Sequence, residues 1–178
     1  MDRRRFSLAH GMILIAASAV GMALMRLFFQ SASRVSVGGN PFYNAQLNLF
    51  SFSPMLMVWS ITLLFLQLRQ PRSPIRELAG TPGFGAVCAT ACVTIVHFSR
   101  MGIEAILDPK HSFLAEPFFI LFSSMVPFVT LSIVPVWLLV ALGGRWNRSM
   151  DWRERLGRVV GWSWIVLNLS TDVARYFS

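Results

Sequence analysis

The sequence predicts an all-α polytopic membrane protein. About four transmembrane helices form a bundle and a C-terminal amphipathic helix lies at the membrane interface, with a fifth crossing as the alternative for that last segment. Three observations carry this expectation. Apolar residues make up 54% of the 178 positions and charged residues only 13%, with a mean hydropathy of +0.57, which is unusual for a soluble domain. The charges are clustered, leaving long uncharged stretches that lipid rather than water must solvate. The net charge of +8 is distributed unevenly between alternate loops, as orientation in a membrane requires.

Residues 1–144 read as the transmembrane domain, with spans at about 7–29, 47–68, 83–107 and 117–144. The first follows Arg3, Arg4 and Arg5 and is interrupted only by His10 and Arg26, so at ~1.5 Å per residue it is long enough to cross ~30 Å of hydrocarbon. A cleaved signal peptide is the competing reading of such a start. An uncleaved anchor fits better, because Leu24, Met25, Leu27, Phe28 and Phe29 continue the apolar run past any plausible cleavage site. Gly38-Gly39-Asn40-Pro41 marks a loop before the second span. Pro54 falls in the early turns of that span, where a missing amide is best tolerated.

Arg69, Arg72 and Arg76, with Pro71 and Pro74 between them, form a basic loop. The third span then starts near Pro82 or Gly83 and carries Arg100 and Glu104 toward its end. The fourth contains Pro127 and Pro135, which favour a tilt or kink. Residues 145–178 form a basic tail, opening with five arginines and turning apolar from Val159 to Leu169. The uncharged run there covers only ~20 Å as a helix, which suits an interfacial placement with Trp152, Trp162 and Trp164 nearby. The two halves of the chain share no motif, so an inverted-repeat transporter has no support.

Four spans put Arg3, Arg4, Arg5, the basic loop and the tail on one side, and Arg26, Arg34, Arg100 and Lys110 on the other. Twelve positive residues against four place both termini in the cytoplasm. The same distribution accounts for the basic charge without nucleic acid, and the arginine-rich tail is expected to meet anionic lipid headgroups.

The most chemical-looking cluster is His97, Arg100 and Glu104, which share one helical face near the outer end of the third span. Ionisable groups at membrane depth often mark a site, here a low-polarity place for haem or quinone. The alternative is an Arg100–Glu104 pair at the helix exit, with His97 bonded to a neighbouring helix. His10 is not a second ligand for His97, because the helix register separates them by ~20 Å of depth. No metal site is expected: Cys88 and Cys92 lie one turn apart, a spacing that fits neither a redox pair nor zinc, and read as buried thiols.

Proton-coupled transport is disfavoured because the cores of the four spans lack Asp and Glu. Ala17-x-x-x-Gly21 and Gly85-x-x-x-Ala89 instead present small faces for close helix packing. No phosphate-binding loop, nucleophile elbow or zinc-protease pattern occurs.

Arg4-Arg5-Phe6-Ser7-Leu8 followed by Met12-Ile13-Leu14-Ile15-Ala16-Ala17 resembles the opening segment of many uncharacterised bacterial membrane proteins. The resemblance covers about 25 residues and implies a bacterial inner membrane and no activity. The leading functional expectation is therefore a non-catalytic accessory subunit that packs against partner membrane proteins or copies of itself. The alternatives are a small redox subunit binding haem or quinone near His97, Arg100 and Glu104, and a small oligomeric channel or carrier.

Overall fold

Helix is the only regular structure among the described residues of the computed structural model, which are 8–35, 41–68, 80–107, 117–143 and 151–176. The helices are α1 (Leu8–Val35), α2 (Pro41–Phe50), α3 (Ser53–Leu68), α4 (Pro82–Leu107), α5 (Pro117–Leu142) and α6 (Trp152–Tyr176). Among the described residues, four stretches are long and apolar enough to cross a membrane: Leu8–Gln30, Gln46–Leu68, Pro82–Glu104 and Phe122–Leu142. Their positions match the four expected spans. The fold is a helical membrane bundle.

The second stretch differs from the single helix the sequence suggests, because it is broken at Ser51 and Phe52 into α2 and α3. Pro54 is the reason. It lacks the amide that would bond the Phe50 carbonyl four residues back. The Ser53 hydroxyl donates to that carbonyl instead, at 2.6 Å, and the Ser51 hydroxyl does the same for the Asn48 carbonyl at 2.5 Å. Short side chains thus satisfy the backbone groups that the break exposes, as they must where no water is available. By contrast, α5 runs through both Pro127 and Pro135.

Packing is set by small residues and by a central apolar core. On α1, Ala17 is buried and Gly21 lies against α3, where an added Cβ would come 3.1 Å from the Met55 Cα. On α4, a Cβ at Gly85 would meet Val136 of α5 at 2.7 Å. Both small-residue faces read from the sequence are therefore packing faces. Leu63, Val87, Met125, Val126, Val129, Ile133 and Trp164 are fully buried between α3, α4, α5 and α6. The outer surface is apolar, with Ile15, Val20, Ile95, Val96, Leu131, Leu138 and Leu139 exposed, as expected of helices solvated by lipid. Cys92 is on that surface and Cys88 is half-buried, so the expectation of two buried thiols fails. Their helix face is turned partly outward.

The largest difference concerns α6. An interfacial helix would lie across one end of the bundle, but α6 is threaded along it. Its start meets the end of α3, where Arg153 donates to the Leu66 carbonyl at 3.2 Å. Trp164, three turns on, reaches Ser60 in the middle of α3 at 3.4 Å. Further along, Leu167 and Ser170 share a groove with Leu49 of α2. The helix therefore runs antiparallel to α3 and parallel to α4, from one end of the bundle to the other. Among the described residues, α6 is not one of the stretches long and apolar enough to cross a membrane, so its path is defined by these contacts. Its buried face carries Gly157, Val160, Gly161, Trp164, Leu167 and Thr171, one side of a 25-residue helix.

Candidate functional site

Two clusters of ionisable residues stand out among the described residues, one near each end of α4. The first surrounds the start of α4 and is built by α6. Glu154 is 4% exposed, and its two carboxylate oxygens accept from the backbone amides of Gly83 at 2.7 Å and Phe84 at 3.2 Å. These are among the amides that a helix start leaves without an intrahelical partner, and the positive end of the α4 dipole favours a carboxylate there. Arg158, one turn further along α6, donates to the same carboxylate at 2.9 Å. A buried negative charge is thus matched by two amides and a guanidinium, the condition under which burial of an ion is tolerated.

The approach is close enough to require glycine on both helices. A Cβ at Gly83 would collide with the Glu154 carbonyl oxygen, and one at Gly157 would fall 2.9 Å from the Gly83 Cα. A Cβ at Gly161 would meet Trp137 at 2.6 Å and Ala86 at 2.9 Å. Trp137 in turn donates its indole N–H to the Pro82 carbonyl at 2.8 Å.

Arg153 points the other way, toward α1 and α3. Besides the Leu66 carbonyl, its guanidinium lies 2.9 Å from His10 Nε2 and 5.3 Å from the centre of the Trp152 ring. Because arginine only donates, His10 accepts through Nε2 in this contact. His10 also meets the Trp152 ring edge-on, with centroids 5.4 Å apart. One end of α6 therefore ties together the starts of α1 and α4 and the end of α3.

The second group contains the three residues singled out from the sequence. His97 Nε2 is 3.0 Å from the Ser124 hydroxyl on α5, and its ring lies 6.3 Å from Phe128. Arg100 and Glu104 form an ion pair at 2.7 Å with side chains 69% and 43% exposed. His97 links two helices, while Arg100 and Glu104 pair on the outer surface. Among the described residues, no group of three or more His, Cys, Asp or Glu is arranged to hold a metal ion.

Hydroxyl groups in the apolar interior are occupied. Thr90 and Thr94 donate to carbonyls one turn back on α4 at 3.0 and 2.7 Å. Thr130 donates across to the Trp164 carbonyl at 3.2 Å. A third feature is an apolar groove of about 600 Å³ between α3 and α6, lined by Met55, Leu56 and Trp59 on one side and Val159, Ser163 and Val166 on the other.

Sequence reasoning missed Glu154, Arg153 and Trp164. The available signal was Gly157-x-x-x-Gly161 in α6, a small-residue pair that marks a close helix contact, together with Glu154 four residues ahead of Arg158 in the favourable order.

The fold and these contacts define the class as a helical multi-pass membrane protein. Comparison with protein-family models, with curated proteins and with solved structures finds no match for this chain.

Proposed function

We propose that the chain is a non-catalytic membrane subunit that packs against partner membrane proteins in a larger complex, in a bacterial inner membrane. The observation that carries this reading is the use made of its buried charges. Glu154, Arg153 and Arg158 are engaged with helix ends and with one another, so the ionisable groups drawn inside the bundle serve to close it. Partner contact has room on α1, which packs mainly on α3 and leaves Ala9, Met12, Ala16, Ala19 and Ala23 exposed. A face of that kind permits close approach of another helix.

The redox alternative has weaker support. His97 Nε2 is engaged with Ser124, and its two sequence companions pair with each other at the surface. Purification in mild detergent, followed by intact-particle mass measurement and a visible spectrum, tests the subunit reading. A co-purifying complex without a Soret band is expected. A monodisperse particle containing this chain alone with stoichiometric haem contradicts it.

The topology proposal changes with α6. Its path along the bundle supports a fifth crossing, which keeps the N-terminus in the cytoplasm and moves the C-terminus to the other side. Only Arg175 changes sides, leaving eleven positive residues against five, so the charge asymmetry survives. The apolar run of α6 is short for a span, but its Arg153 and Glu154 are held by protein partners rather than presented to lipid, which offsets the cost of carrying them near the membrane.

A further inference from the structure

The groove between α3 and α6 is long and apolar. Its α6 wall extends from Leu156 to Ser170, ~21 Å at the helical rise, which exceeds the ~15 Å hydrocarbon depth of one leaflet. A hydrocarbon chain lying along that wall meets apolar side chains over the full depth of one leaflet.

Its charged end is equally specific. Val159, Trp162 and Val166 line the groove, and Arg155 lies one turn before Val159 on the same stripe of α6. Arg153 faces inward to the Leu66 carbonyl and His10, and Arg158 is paired with Glu154. Arg155 is exposed and makes no ion pair among the described residues. On the membrane-crossing reading of α6, an exposed cation one turn before the lining residue Val159 complements an anionic headgroup joined to an acyl chain.

We infer that this groove seats one acyl chain of an anionic glycerophospholipid whose phosphate rests on Arg155. The inference rests on the membrane-crossing reading of α6, with its first turns at the cytoplasmic headgroups. Seating a lipid there would fill the gap between α3 and α6 and complete the bundle surface on that side.

The test uses the full chain purified in detergent, delipidated, and titrated with phosphatidylglycerol or phosphatidylcholine of identical acyl chains, with bound lipid counted by native mass spectrometry. Wild type should hold one phosphatidylglycerol with a preference of about tenfold over phosphatidylcholine, the size of one charge-assisted contact. Arg155→Gln should abolish the preference while leaving weak binding of both lipids. Val166→Trp, which fills the slot from an exposed position, should weaken both. Arg100→Gln, at the far end of α4, should change neither. Equal binding of the two lipids by wild type, a preference that persists in Arg155→Gln, an equal loss in Arg100→Gln, or unchanged binding by Val166→Trp each overturns the site. So does a tightly bound protein partner with no lipid retained. A C-terminal topology reporter reads the crossing of α6 separately, since lipid counting in detergent does not depend on which side the terminus occupies.

Discussion

Glu154 and Glu104 are both acidic residues one turn from an arginine on a helix, yet their surroundings give them opposite weight. Glu154 is buried and holds two amides of α4 as well as Arg158. Replacing it with Ala leaves those donors unmatched inside the bundle, where breaking a buried pair costs about 3–5 kcal/mol. Because Arg158 is partly exposed, the lower end of that range is expected for Glu154→Ala, read as a clear drop in detergent-phase melting temperature. Glu154→Gln, which keeps one acceptor oxygen, should lose about half as much. Glu104→Gln should change melting by no more than tenths of a kcal/mol, because the Arg100 pair is exposed. If Glu104→Gln proved as damaging as Glu154→Ala, the assignment of the two ends would be reversed. Trp164 belongs with Glu154: its side chain is fully buried and its indole N–H donates to Ser60 of α3, so Trp164→Ala should cost about 3–5 kcal/mol.

At the scale of elements, close helix contact explains where glycine is required. Gly157→Ala drives a Cβ against the Gly83 backbone, which cannot give way as a flexible side chain can. It should separate α4 from α6 and destabilise the bundle by about 1–3 kcal/mol. Gly102→Ala is the control: nothing lies within 4 Å of its Cβ position, so it should be neutral or gain about 0.5–1 kcal/mol from helix propensity. Equal losses in the two variants, measured by thermal melting, would contradict the packing account. These elements also show what was legible in the sequence. Apolar length and loop charge are local properties, so α4 and α5 could be placed to within about two residues, as could the start of α1, whose helix runs on past the expected end at 29 to Val35. The packing faces of Gly21 and Gly85 were legible too, because small-residue spacing within an apolar run has a single common cause. The path of α6 was not. Its arginine-rich start and short apolar run resemble an interfacial helix as long as partners are unknown, and only tertiary contacts show Glu154 matched by two amides and Arg158, and Arg153 turned inward to the Leu66 carbonyl and His10. The break at Ser51 was hidden for a similar reason, since Pro54 is compatible with an uninterrupted first turn until the Ser53 hydroxyl is seen on the Phe50 carbonyl.

For the whole molecule, lipid supplies no hydrophobic drive between helices, so the bundle depends on close packing and a few polar ties. Those ties concentrate at one end, where α6 binds the starts of α1 and α4 and the end of α3. From this end α6 runs along the bundle to the opposite one. The most direct measurement fuses, after Ser178, a pair of reporters in separate strains, one active only in the cytoplasm and one active only outside it. Activity of the external reporter alone is expected, with a cysteine introduced in 69–79 remaining inaccessible to a membrane-impermeant reagent in intact cells. Activity of the cytoplasmic reporter alone, with that same loop still protected, would place both termini on one side and contradict the fifth crossing.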